Sequence, residues 1–211
     1  MGSIALLFFV SIAIIHLYAR WADMLAAAAV TKPFLMPLLY YAVLSMHPVP
    51  RMQLIAMAAV FYTIGDICLI FKRYRRVFLA GIFSFMAGHI FYISYFAGCS
   101  FSVPFMFMSA AIFALPFAVY IWKIRRSGTD DFWGFVIYGA MIYVFGIGMG
   151  ASFSVSAPIA SLIAIMGVVL FGYSDSRIAY NRAHHADTSD FIIMWTYIAA
   201  NIALVSAAVM R

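Results

Sequence analysis

The sequence predicts an all-α, polytopic integral membrane protein of eight transmembrane helices, and three observations lead there. The 211 residues are 67% hydrophobic and only 9% charged, with a mean hydropathy of +1.04, whereas a soluble domain carries about 25% charged residues. Apolar runs follow one another along the whole chain, each near the ~20 residues needed to cross hydrocarbon. Strand-like alternation is absent, and in lipid the backbone must satisfy its own polar groups, so the runs are read as helices. The connections are too short for a soluble domain, so 1–211 reads as a single transmembrane domain.

The eight spans follow in order. Span 1 (3–19) is closed by Arg20. Span 2 (24–45) follows Asp23 and carries Lys32, Pro33 and Pro37. Each proline removes a backbone donor and leaves the carbonyl four residues earlier unpaired, so this span should kink beside the lysine. Span 3 (52–71) lies between Arg51 and Lys72 and contains Asp66. Span 4 (77–97) starts after Arg75 and Arg76 and contains His89. Span 5 (103–122) is closed by Lys123. Span 6 (132–151) ends in Gly146, Gly148 and Gly150, a pattern that marks close helix packing. Span 7 (158–180) contains Ser174 and Asp175 and leads to Arg182. Span 8 (190–210) ends beside Arg211.

Basic residues test this count. Arg20, Lys72, Arg73, Arg75, Arg76, Lys123, Arg125, Arg126, Arg177 and Arg182 fall at connections 1–2, 3–4, 5–6 and 7–8, against Arg51 and Arg211 on the other side. The positive-inside rule then puts the odd-numbered connections in the cytoplasm and both termini outside. The net charge of +6 therefore reports orientation, and no nucleic-acid partner is expected. The N-terminus lacks the basic n-region and cleavage site of a signal peptide. It also misses the myristoylation pattern, with Leu6 where Ser or Thr is needed. Cys68 and Cys99 fall near opposite faces, so no disulfide is expected.

A carboxylate within hydrocarbon costs roughly 2.5–3.5 kcal/mol on insertion scales and is rarely kept without a use. At ~1.5 Å of rise per residue, Asp66 lies ~9 Å and Asp175 ~10 Å from the cytoplasmic boundary, with Lys32 at ~13 Å and His89 at ~19 Å. These four are expected to line one cavity in the cytoplasmic half of the bilayer. Each aspartate sits in the third span of a four-helix half. A shift of 109 residues lays Gly65-Asp66 over Ser174-Asp175, so a 4+4 pseudo-repeat is one reading of the chain.

Each residue also has a plainer role open to it. Lys32 can snorkel to the headgroups. Asp66 and Lys32 can form a purely structural ion pair. Asp175 can cap polar groups near Arg177, and His89 can be an interhelical contact. Tyr92, Tyr138, Tyr197 and Asn201 reach toward the same region. H-E-x-x-H, C-x-x-C and G-x-S-x-G are absent. His184 and His185 read as a loop pair, and one buried histidine is too few for a three-histidine zinc site.

Taken in order, Lys32-Pro33, Gly65-Asp66 with Leu69, Gly88-His89 with Tyr92, Tyr138, Gly167, Phe171, Ser174-Asp175 and Tyr197 with Ala200 make the chain resemble the YhhN-like family of eight-span proteins, which includes the lysoplasmalogenases. One departure is Asn201, where the family usually has Gln. The resemblance implies hydrolysis of lysoplasmalogens, single-chain glycerophospholipids with a vinyl ether at sn-1, to a fatty aldehyde and glycerophospho-ethanolamine or -choline. It also implies no metal or other cofactor, and a catalytic pair at Asp66 and Asp175.

The residues suit that chemistry on their own terms. A vinyl ether hydrolyses when an acid protonates the alkene carbon farther from the oxygen. Water then captures the oxocarbenium ion, and the hemiacetal collapses to aldehyde and alcohol. The first step needs a carboxylic acid that keeps its proton near neutral pH, and loss of water disfavours the charged form. The second needs an ionised partner, as paired carboxylates provide around glycosidic bonds. Asp66 is assigned the ionised base and Asp175 the acid, with the reverse left open. Lys32 favours ionisation of the nearer carboxylate, and His89 orients water or an aspartate. Ser174, Tyr92, Tyr138, Tyr197 and Asn201 support the substrate.

The expected partners are the lysophospholipid, water and the bilayer. The chain of the lipid enters laterally between helices rich in Phe and Met, and the loop KRYRR attracts its phosphate. Small-residue faces permit a homodimer without requiring one. The bare layout suggests a bacterial inner membrane, and an endoplasmic reticulum protein would have the same layout. Buried Asp, Lys and His also build proton relays, so a proton-coupled transporter of small molecules or lipids is the alternative. A structural protein whose ion pairs only fix helix packing is a third reading.

Overall fold

The computed structural model describes residues 1–129, 131–184 and 190–211. Among them are eight helices and no strand: α1 Gly2–Trp21, α2 Leu25–Met46, α3 Met52–Ile70, α4 Arg75–Ala97, α5 Val103–Ser127, α6 Phe132–Ala151, α7 Pro158–His184 and α8 Asp190–Val209. All eight are long and apolar enough to cross a membrane. Each of the eight apolar runs becomes one helix.

Two helices outlast their apolar runs. α5 continues through Lys123, Arg125 and Arg126 to Ser127, and α7 continues through Arg182 to His184. Hydropathy marks where lipid would end, whereas a helix ends where the backbone meets a stop signal. For α5 that signal is Gly128, at φ +65°, the left-handed conformation that glycine adopts without a Cβ penalty. His184 is thus the last residue of a helix and not part of a loop, because nothing after Tyr180 interrupts the helical backbone. His185 lies outside the described residues. Pro33 and Pro37 both sit inside α2, which runs unbroken through them.

The chain divides into two compact units, Met1–Tyr95 with Ala208–Met210, and Phe96–Ala207 with Arg211. In the first, α1 packs on α2 and α2 on α3. Ser84 on α4 donates to the carbonyl of Phe61 on α3 at 2.6 Å. Leu35, Met36, Leu39, Ile55, Tyr62 and Phe85 fill the interior. A side chain at Gly65 would meet the Phe85 ring at 2.8 Å, and one at Gly88 would collide with Tyr62. These glycines let the aromatic rings approach the backbone. Tyr95 Oη donates to the Ala208 carbonyl at 3.0 Å and holds the end of α8.

In the second unit α6 packs on α5 and α7. The glycine run of α6 lies on the α5 seam, with Gly146 against Phe113 and Gly150 against Ser109. The Arg211 guanidinium is held by Ser100 Oγ at 2.9 Å, Ser161 Oγ at 2.7 Å and the Ser152 carbonyl at 2.5 Å. Cys68 and Cys99 are free thiols.

Candidate functional site: two buried carboxylates and their partners

Asp66 and Asp175 are each only 1% exposed. Isolated charges do not survive such burial, so each must have company. For Asp66 it is a cation: Lys32 Nζ on α2 lies 3.4 Å from its Oδ1, with side-chain exposures of 14% and 2%. The long lysine stem crosses from α2 to α3, so the ammonium reaches the carboxylate while the stem packs on apolar surface.

Around this pair the first unit carries further polar contacts. Tyr62 Oη and His89 Nδ1 are 2.8 Å apart, joining α3 to α4. Tyr40 and Tyr92 share a hydroxyl–hydroxyl hydrogen bond of 2.6 Å between α2 and α4. The Tyr62 and Tyr92 rings stack at 6.0 Å. These phenols are buried and hydrogen-bonded, as buried polar groups must be. His89 and Tyr92 therefore stand in one aromatic and polar ladder with Tyr40 and Tyr62, two residues that the sequence reading leaves out.

For Asp175 the company is a phenol. Tyr138 on α6 donates to Asp175 Oδ2. The neighbouring Ser174 donates to the Ile193 carbonyl at 3.0 Å and ties α7 to α8. Asn201 Nδ2 donates to the Tyr197 carbonyl one turn earlier at 2.9 Å, and the Tyr197 ring meets Phe171 edge-on at 5.4 Å. In the second unit the structure thus brings Tyr138 to Asp175, and sets Ser174, Tyr197 and Asn201 into the α7–α8 packing. A cavity of about 740 Å³ near the α5–α6 turn is lined by Ile124, Arg125, Thr129 and Phe132 among others. None of the expected site residues lines it.

His16 is a correction to the sequence reading, which counts one buried histidine. Its ring is also buried, with Nδ1 2.8 Å from Thr31 Oγ1 on α2. It lies one turn before Arg20, where a span meets the interface, and α2 covers it there. The available signal was a histidine inside the apolar run of span 1. Among the described residues no group of three or more His, Cys or Asp side chains could hold a metal ion.

The fold and these contacts define a class: an eight-helix membrane protein that buries two carboxylates, one beside an ammonium and one beneath a phenol. The chain belongs to the YhhN family, whose model matches residues 27–208. That segment contains Lys32, Asp66, His89, Tyr138, Asp175 and Asn201. No curated protein and no solved structure matches the chain.

Proposed function

We propose that this protein is a membrane-embedded hydrolase that cleaves the sn-1 vinyl ether of lysoplasmalogens, releasing a fatty aldehyde and glycerophospho-ethanolamine or -choline. Membership of the YhhN family supports the reading. The observation that carries it is the different company of the two buried carboxylates, an ammonium for Asp66 and a phenol for Asp175. Two acids in unlike surroundings are suited to divide acid and base duties.

In this mechanism Asp175 holds the proton and delivers it to the alkene carbon farther from the ether oxygen. Tyr138 donates a hydrogen bond to one of its carboxyl oxygens. The oxocarbenium ion forms next, and Asp66, beside the Lys32 ammonium, stabilises it and takes a proton from the attacking water. The hemiacetal then collapses to the aldehyde and the glycerol hydroxyl. His89, held by Tyr62, orients water. No metal takes part. The excess of basic residues at alternate connections supports cytoplasmic placement of those loops, with both termini outside.

The test is aldehyde release by the purified protein from lysoplasmenyl-ethanolamine and -choline, with and without a chelator, beside Asp66→Asn and Asp175→Asn. Wild type should release aldehyde whether or not chelator is present, and folded variants should lose at least about 10²-fold in rate, the usual contribution of a general acid or base. Wild type inert on both lipids would end the reading. Folded variants at full rate would end the assignment of the two aspartates.

A further inference from the structure

His16 has no task in that mechanism, yet its environment is unusual. The ring is 1% exposed although it lies one turn from the end of α1. Thr31 Oγ1 has a single proton, and within its own helix the Ala27 carbonyl lies at 2.8 Å and the Ala28 carbonyl at 3.3 Å. Its contact with His16 Nδ1 at 2.8 Å can run in either direction, and when Thr31 donates, Nδ1 accepts and the ring hydrogen sits on Nε2. Nε2 is buried without a hydrogen-bond partner among the described residues. Buried polar atoms are nearly always paired, so an orphan of this kind calls for a partner beyond the described residues.

The charges around the ring say what kind of partner. His16 lies within electrostatic reach of Arg20 on its own helix and Lys32 on α2. Arg20 falls on the same face, four residues on. Lys32 follows Thr31 directly and reaches Asp66. Such surroundings repel a cation and attract an anion near the end of α1.

We propose that His16 and Arg20, with the charge of Lys32 behind them, bind the phosphodiester of a single-chain phospholipid. The identity of the ligand rests on the substrate class proposed above. On binding, Thr31 donates to Nδ1, and Nε2–H of the neutral ring donates to a phosphate oxygen. Arg20 supplies a second charge-assisted bond, the strong kind. The lipid would then be anchored by its phosphate beside the Lys32–Asp66 pair. His16 and Arg20 lie before residue 27, where the match to the family model begins.

Binding can be read without turnover. A saturated alkyl-ether lysophosphocholine lacks the alkene and cannot be protonated on carbon, and an alkylglycerol of the same chain length lacks the phosphate. In a non-ionic maltoside, wild type should prefer the phosphate-bearing lipid by about tenfold or more, the size of one charge-assisted bond. His16→Asn keeps an amide for Thr31 but has nothing at Nε2, so it should lose most of that preference at unchanged thermal stability. His16→Gln places an amide donor near Nε2 and should retain part of it. Inorganic phosphate should not compete.

No preference in wild type, or a preference untouched in both variants, overturns the site. So does competition by inorganic phosphate as tight as the lipid, which would mark a free-anion site. Preference for the phosphate lipid without aldehyde release would sink the hydrolase reading and leave this site standing. Aldehyde release with an unaffected His16→Asn variant would do the reverse.

Discussion

Removing Lys32 should destabilise the protein more than removing Asp66, and removing both should cost less than the sum. At 3.4 Å and an effective dielectric constant of ~20, the Coulomb attraction is ~5 kcal/mol. Desolvation takes back several kcal/mol per ion, so the intact pair is close to neutral in net stability. Breaking it is another matter, because the surviving charge keeps its desolvation cost. The two survivors differ: Asp66 is 2% exposed and fixed in α3, whereas Lys32 is 14% exposed and has a stem long enough to reach the headgroups. Lys32→Met should therefore cost about 3 kcal/mol, the low end for a broken buried pair, and Asp66→Asn about 1–2 kcal/mol. The double variant, with neither charge left, should be more stable than Lys32→Met alone, giving a coupling of about 2–3 kcal/mol. Reversible unfolding in mixed dodecyl sulfate and maltoside micelles measures all four proteins. Strict additivity would refute the reasoning, since it would mean that the two side chains do not sense each other.

Two further substitutions probe the contacts around the carboxylates. Tyr138→Phe withdraws a hydrogen bond from Asp175 worth about 1.5–3 kcal/mol; if that bond is made in the transition state, kcat for aldehyde release should fall by roughly 10–150-fold. An unchanged kcat would make the contact packing only. Gly88→Ala drives a methyl group into Tyr62, whose hydroxyl is held by His89 and whose ring stacks on Tyr92, so thermal unfolding should show a loss of about 2 kcal/mol from overpacking. Gly128→Ala is its control: nothing lies within 4 Å, and the positive φ should cost only about 1 kcal/mol. A larger loss at Gly128 than at Gly88 would contradict the packing account.

Helix number and order were legible because lipid imposes a length and forbids unsatisfied backbone, which leaves few alternatives. The ends of α5 and α7 were less so. Lys123, Arg125 and Arg126 mark the edge of an apolar run, yet α5 passes through them to Ser127 and stops only before Gly128. A charge tells where lipid would end. Glycine in the left-handed conformation tells where the helix ends, and the two signals need not coincide. The pairing of side chains was harder still. A helix in water reveals its buried face by an apolar stripe, but a span in lipid is apolar all round, so its rotation is not written in the hydrophobic pattern. This is why Tyr138 could not be singled out among 13 tyrosines as the partner of Asp175. His16 was passed over for a related reason: close to Arg20 it reads as interfacial, and only α2, through Thr31, shows it to be covered.

Depth, unlike rotation, can be read from the chain, and it accounts for most of the pairs. Measured from the basic connections at ~1.5 Å per residue, Tyr138 lies ~9 Å in, counted from Phe132, and Asp175 ~10 Å; these two share a hydrogen bond. By the same count Tyr40 lies ~25 Å in and Tyr92 ~24 Å, and their hydroxyls meet at 2.6 Å. Asp66 at ~9 Å and Lys32 at ~13 Å differ by less than a lysine stem, as do Tyr62 at ~15 Å and His89 at ~19 Å within the reach of a phenol. His16 and Thr31 break the rule, at ~6 Å and ~12 Å by this count, yet they touch at 2.8 Å. The mismatch is one helical turn and follows from taking Arg20 as the boundary, since an arginine can stand a turn away from the level its guanidinium occupies. In lipid a buried polar group must find its partner at its own level, because water is not there to supply one. A list of polar residues sorted by depth is therefore already a short list of contacts. What remains is the rotation of each helix, and at Asp66 and Asp175 that rotation selects an ammonium for one carboxylate and a phenol for the other.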